Sequence, residues 1–233
     1  MDRSIATENQ HLVLVFYCYT FANMYSVDSA FKRLDSQDKE IIQHVLNREW
    51  AFKRAMILGS GKGRIGIVLA LMGFEVVCVD IEDHAEFYIS ISKSFDLQGS
   101  LKFVQADISK VDVSTLSSRR NIIIAQRVFQ YLQHKDTREL VQQIHKNMLD
   151  GADLFINISS TASIYAKNYP CLEKSIEARF CVPEEISKGL EVSVPMCLYS
   201  EQELLEIFDE DFWNLVMLEN NAFGNIKAQL ERA

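Results

Sequence analysis

A glycine cluster sets the chemical question. Gly59-Ser60-Gly61-Lys62-Gly63-Arg64-Ile65-Gly66 follows directly on the apolar run 55–58 and precedes an apolar stretch ending at Met72. Where a strand turns into a helix, glycine brings bare backbone amides against a ligand at the helix N-terminus, which favours anionic or polar groups. Gly61, Gly63 and Gly66 satisfy GxGxxG, and Asp80 lies about twenty residues on, where a carboxylate accepts hydrogen bonds from a ribose diol. The chemistry indicated is nucleotide binding. An NTPase phosphate loop is excluded, because GxxxxGK[ST] would need glycine at Met56 and a hydroxyl at Gly63. HExxH, paired CxxC and GxSxG are absent, so zinc hydrolysis and esterase chemistry have no motif behind them. Glu82, Asp83 and Glu86 beside His84 read as first-turn acids complementing a helix dipole, and no metal is expected.

The elements that must position this loop follow from periodicity. Residues 55–58 read as a strand, the glycines as a turn, and the stretch to Met72 as a helix. Residues 75–79 are a second strand ending in Asp80, and Phe87, Ile91 and Phe95 give the next helix an apolar face. Strands follow at 102–104, 121–125 and 153–158. Asp136 with Glu139, and Ser200 with Glu203, stand at capping-box spacing before apolar helical runs. Two final strands, 213–219 and 225–230, are joined too closely for a helical crossover and must be antiparallel. Upstream, Ile41, Ile42, Val45 and Leu46 recur at helical spacing behind Ser36 and Asp38. Alternating β and α with apolar strands implies a parallel sheet covered on both faces.

Composition agrees. A chain of 233 residues with 48% hydrophobic and 24% charged residues is globular, and only 9 glycines and 3 prolines argue against a many-turned all-β fold. The net charge of −8 lacks the basic footprint that duplex nucleic acid requires. The apolar run 12–19 is too short to span a bilayer, and the odd set of five cysteines reads as reduced core thiols of a cytoplasmic protein.

The run from Ile57 through the glycines to Val79-Asp80 resembles the first motif and acidic strand end of class I S-adenosylmethionine-dependent methyltransferases. Four later segments agree in order: Phe103-Val-Gln-Ala-Asp107-Ile, Asn121-Ile-Ile-Ile-Ala-Gln-Arg-Val-Phe-Gln-Tyr-Leu132, Asp150-Gly-Ala-Asp-Leu-Phe-Ile-Asn157 and Tyr199-Ser-Glu-Gln-Glu-Leu-Leu205. The resemblance implies a Rossmann-like, doubly wound, seven-stranded, mostly parallel sheet with an antiparallel last strand, and S-adenosylmethionine as cofactor. It implies cofactor contacts at Gly59, Ser60, Gly61, Gly63, Asp80, Ile81, Asp107, Ile108 and Gln126. Ile57 departs from the pattern, standing where members usually carry an acid near the methionine amino group. The substrate signature of amide and nucleic-acid N-methylating members is missing from residues 125–129, which leaves a small-molecule acceptor.

Residues 1–50 are expected to form a helical cap and residues 51–233 the catalytic core. Within it, 159–199 is long for a connection and holds all three prolines, so it is expected to be a lid. Tyr17, Tyr19, Phe21 and Tyr25 in the cap, and Tyr165, Tyr169 and Phe180 in the insertion, could line a substrate pocket or fill cores. No catalytic base is assigned, although Arg127, Tyr131 and His134 follow the fourth strand. The competing readings are an NAD(P)-dependent oxidoreductase, against which stands the lack of a YxxxK dyad, and a non-catalytic S-adenosylmethionine-binding protein.

Overall fold

In the computed structural model, residues 36–183 and 194–233 are described. Expectations for residues 12–31, including the aromatics of the cap, lie outside them. Helix α1 is Ser36–Asn47, β1 Arg54–Leu58, α2 Arg64–Leu71, β2 Glu75–Asp80, α3 Ala85–Ser94 and β3 Leu101–Gln105. Then come β4 Arg120–Gln126, α4 His134–Asn147, β5 Met148–Ser159, α5 Glu201–Leu205, β6 Trp213–Asn220 and β7 Asn225–Arg232. The seven strands form one sheet in the order β3-β2-β1-β4-β5-β7-β6. The pairs β1–β2, β2–β3 and β4–β5 are parallel, and β7 runs antiparallel to both β5 and β6. This is the Rossmann-like arrangement expected from the sequence.

The chain divides into two compact units, the first ending at Gln105 and the second beginning at Ala106. In the first, β1 and β2 are buried along 55–58 and 76–79, as apolar strands covered on both faces must be. Helix α2 is buried from Arg64 through Ala70, which its almost wholly apolar sequence permits. Gly66 lies in this helix because the space for its side chain is taken: a Cβ there would sit 2.6 Å from Cys78 Sγ and 3.3 Å from Ile57 Cγ1. Helix and strand thereby approach more closely than alanine would allow.

In the second unit, α4 buries Leu140, Val141 and Ile144 on one face. It begins earlier than the Asp136–Glu139 spacing indicated, because Gln133 holds the extended N-cap conformation and Asp136 falls inside the first turn. Strand β5 is longer than expected. Gly151, at φ 68°, allows the strand to start at Met148, and the register shift between Arg120 and Ile122 of β4 accommodates that turn. The capping box before α5 forms as its spacing indicated: Ser200 Oγ accepts from the Glu203 amide, and Glu203 Oε2 accepts from the Ser200 amide at 2.8 Å. Outermost β6 leaves Leu215 and Val216 exposed, with a bulge between Leu215 and Met217.

The described part of the 159–199 insertion has its own small core of Tyr169, Cys171, Met196 and Leu198. Cys181 and Met196 exchange backbone hydrogen bonds of 3.1 and 2.9 Å. That doubling back brings Cys181 to Cys171, and the two form a disulfide with Cα atoms 6.4 Å apart. This corrects the expectation of reduced thiols. A ten-residue spacing carried no sign of the chain reversal that closes it, whereas Cys78 and Cys197 are buried free thiols as expected. Among the described residues no helix is long and apolar enough to cross a membrane, and no group of His, Cys, Asp and Glu could hold a metal.

Candidate functional site

The glycine loop of the first unit is built on three left-handed residues, Gly59, Gly61 and Gly63, with φ of 61°, 49° and 41°. Side chains other than glycine adopt this region at a cost. Gly63 occupies the N-cap of α2, and no side chain caps the helix. Two hydrogen bonds fasten the loop to β2. The Ser60 amide donates to the Val79 carbonyl at 3.0 Å, and the Gly61 amide donates to Asp80 Oδ2 at 2.7 Å. The Glu82 amide donates to Asp80 Oδ1 at 3.0 Å. Each carboxylate oxygen thus takes one backbone donor and retains a further lone pair, the acceptor capacity a ribose diol needs.

Ser60 and Gly63 look inward as well as outward. The Ser60 hydroxyl lies 3.3 Å from the Gly61 carbonyl, which also accepts from the Tyr88 hydroxyl at 3.1 Å. A Cβ on Gly63 would overlap the Tyr88 hydroxyl, so this glycine has a packing reason as well as a conformational one. Burial raises the Cys78 thiol to about 12 and the Tyr88 phenol well above its ordinary value, so both stay protonated as neutral hydrogen-bonding groups. Ile57, 3% exposed, packs toward Gly66 of α2. Ile81 is 63% exposed immediately after Asp80, an apolar surface beside an acceptor carboxylate. Taken together, left-handed glycines, an uncapped helix start, a carboxylate with spare lone pairs and an exposed isoleucine fit an adenosyl group.

In the second unit, Asp107 opens a tight turn. Its Oδ1 accepts from the Ser109 amide at 3.0 Å and from the Ser109 hydroxyl at 2.6 Å, and its Oδ2 meets Lys110 Nζ at 2.7 Å. The bonds from Lys110 and Ser109 hold its carboxyl below the ordinary value. Ile108 is half-buried beside it. Gln126 ends β4 in register with Asn157 of β5.

The turn after β4 is strained. Arg127 has φ 56° and donates its amide to the Asn157 carbonyl at 2.5 Å. A positive φ in a residue other than glycine is sustained only when its surroundings over-determine it. The supports are visible. Gln130, 1% exposed, accepts the Ser159 amide on its side chain at 2.8 Å and the Cys197 amide on its carbonyl at 2.7 Å. Sequence reasoning included Gln130 in the run ending at Leu132 but gave it no role of its own, because nothing in its composition or spacing marks it. It likewise gave no role of its own to Asn157, the last residue of the fifth-strand segment, or to Ser163, whose Oδ1 and Oγ respectively are buried without a hydrogen-bond partner. Of the residues following β4, Tyr131 is exposed, whereas His134 turns its ring toward Tyr199, with centroids 5.9 Å apart. Its Nδ1 is buried without a hydrogen-bond partner, and desolvation lowers the imidazole below its ordinary value.

The insertion is tied down by Arg179. The guanidinium donates from Nη1 to the Leu198 carbonyl at 3.0 Å and to Glu203 Oε2 at 2.7 Å, and from Nη2 to the Lys174 carbonyl at 3.0 Å. Tyr169 belongs to the insertion's own core, with its hydroxyl 2.5 Å from the Met196 carbonyl, and Tyr165 packs against that core.

Comparisons with known proteins agree with this architecture. The family model described as "Tellurite resistance protein TehB" matches residues 25–184. Among curated proteins no sequence matches the chain. Solved structures share the fold at low identity. PH0226 from Pyrococcus horikoshii OT3 is 14% identical with a TM-score of 0.65, over 94% of this chain and 99% of that one. TehB from Haemophilus influenzae is 15% identical with a TM-score of 0.60, over 93% of this chain and 66% of that one. Magnesium protoporphyrin IX methyltransferase from Synechocystis PCC 6803, solved with bound SAH, is 12% identical with a TM-score of 0.64, over the whole of both chains.

Proposed function

We propose, from the premise that this chain belongs to the tellurite resistance protein TehB family and has the fold of the class I S-adenosylmethionine-dependent methyltransferases, that it binds S-adenosylmethionine and methylates a small molecule. The observation that carries the reading is the Gly61–Asp80 pairing: a left-handed glycine loop hydrogen-bonded to a strand-end carboxylate that keeps acceptor capacity for a diol. In this reading Asp80 accepts from the ribose hydroxyls. The backbone of Gly59, Ser60, Gly61 and Gly63 lies along the methionine portion, Ile81 and Ile108 flank the adenine, Asp107 accepts from its amino group, and Gln126 borders the cofactor at the end of β4. The SAH held by the Synechocystis enzyme of the same fold supports the choice of cofactor, and its porphyrin acceptor supports a small-molecule substrate.

The cofactor supplies a methyl group on a positively charged sulfur, already activated toward attack. The chain's task is placement, and alignment of two reactants is worth up to about 7–11 kcal/mol of a barrier. The Arg127 turn fixes where the end of β4 stands, and Gln130 holds that turn to the end of β5. No residue is assigned as a base, because a base is needed only for an acceptor that arrives protonated. His134 faces Tyr199 and is not given that role. Residues 1–50 are proposed as a cap and 159–199 as a lid that excludes water once both ligands are bound.

Isothermal calorimetry with SAH, NAD and NADP tests the cofactor assignment. Binding of SAH with no heat from either dinucleotide supports it; binding of a dinucleotide alone overturns it. Turnover of labelled S-adenosylmethionine with candidate acceptors then separates an enzyme from a cofactor-binding protein without activity.

A further inference from the structure

We infer that Tyr88 is a positioning residue for the cofactor loop, setting the conformation in which Gly61 and Gly63 meet the ligand. The inference rests on the cofactor reading above and concerns a residue that does not touch the cofactor in that reading.

Gly61 is held at both ends of its residue by groups from outside the loop. Its amide donates to Asp80 Oδ2 at 2.7 Å, and its carbonyl accepts from the Tyr88 hydroxyl at 3.1 Å. Asp80 ends β2 and Tyr88 belongs to α3, so two separate elements fix one glycine. Glycine has more backbone freedom than any other residue, and a loop of three left-handed glycines would sample many conformations if left alone. Ligand binding would then have to freeze it.

Tyr88 can act as an anchor because its own ring is fixed. It is 2% exposed, stacked on Phe103 with centroids 4.9 Å apart and planes 13° apart, and set edge-on against Phe87 at 5.6 Å. The hydroxyl's place is therefore dictated by α3 and β3 and not by the loop. It also fills the space where a Gly63 side chain would project, with the ring carbon Cζ 3.1 Å from that point. One hydroxyl thus bonds to Gly61 and shapes Gly63.

Tyr88→Phe removes the oxygen and keeps both ring contacts. SAH binding should weaken about three- to tenfold, the usual effect of losing one buried hydrogen bond together with some preorganisation. Ile91→Val, on the same helix and 7% exposed, is the matched control. It loses comparable stability through a deleted methylene and should keep the affinity of the parent chain. Gly63→Ala should bind poorly, and Gly63→Ala combined with Tyr88→Phe should bind better than Gly63→Ala alone, because the overlapping oxygen is gone. Unchanged SAH affinity in Tyr88→Phe, or an equal loss in Ile91→Val, overturns the inference while leaving the cofactor reading in place. Failure of the parent chain to bind SAH overturns both. If Gly63→Ala does not fold, the comparison of Tyr88→Phe with Ile91→Val decides.

Discussion

The amide of Gly61 and the carboxylate of Asp80 are joined by a 2.7 Å hydrogen bond, so the loop after the first strand and the end of the second form one rigid corner. Nineteen residues of sequence separate the two partners. The bond needs a parallel register, and β1 and β2 provide it, with Leu58 opposite Val79.

Replacing Asp80 therefore has two effects. Asp80→Ala is expected to weaken SAH binding by about 1.5–3 kcal/mol, the usual worth of hydrogen bonds to a charged group. Asp80→Asn retains one acceptor oxygen and should fall between. Calorimetry on variants with unchanged circular dichroism gives the answer, and equal affinity across all three proteins would remove Asp80 from the site.

Gly66→Ala is expected to destabilise the chain even though alanine is the better helix former. The propensity gain is about 1 kcal/mol, whereas forcing a Cβ to 2.6 Å from Cys78 Sγ is overpacking that costs about 1–3 kcal/mol. The second substitution Cys78→Ala removes the obstructing sulfur. Urea denaturation should show the double variant recovering part of the loss, and no recovery would place the strain elsewhere.

The Arg179–Glu203 pair gives an acid-sensitive hold on the insertion. Burial alone would raise the Glu203 carboxyl, but the hydrogen bonds from Arg179 and Ser200 outweigh it and hold the group below its ordinary value. A depressed folded value means stability that is present above the unfolded value, about 4.3, and lost as pH falls through the folded one. Glu203→Gln should flatten the pH dependence of unfolding below pH of about 4.5. Arg179→Met strands a half-buried carboxylate and two carbonyls, and should cost about 2–4 kcal/mol at neutral pH. Denaturant titrations across pH check both.

The Cys171–Cys181 disulfide closes a loop with a sequence separation of 10. Loop-closure entropy assigns such a link about 2–3 kcal/mol. Cys171→Ser should lower stability by that amount under oxidising conditions and by much less in excess dithiothreitol, where the parent chain has lost the bond as well. Equal losses in both buffers would show that the cysteine matters only for packing.

The fold was legible wherever one local pattern decided the matter. Apolar strands buried on both faces, the glycine turn with Asp80, and the Ser200–Glu203 capping box each carry their signal within a few residues, and each appears in the structure. What stayed hidden depends on distant partners. Tyr88 went unmarked beside the apolar face of Phe87, Ile91 and Phe95, since its hydroxyl acquires meaning from a carbonyl 27 residues away. Gln130 and Arg179 are polar residues whose burial is explained by backbone groups of β5 and of residues 174–198. The disulfide required the chain reversal at Cys181 and Met196. Asp136 misled because a capping box is a matter of backbone conformation, and the extended residue is Gln133.

Strand β7 sits between β5 and β6 although it is the last of the seven to leave the ribosome. Every residue of β5 from Asp153 to Ser159 has its ladder partner in residues 225–231. During synthesis, β5 and β6 are therefore both complete while the strand that joins them is still missing, and each presents an open edge capable of mispairing with other nascent chains. Biogenesis of this half of the sheet is tied to its final eight-residue strand. A premature stop before Asn225 would leave β5 paired on its β4 side alone and β6 without its β7 partner, so early-terminated chains should be substrates for chaperones and proteases.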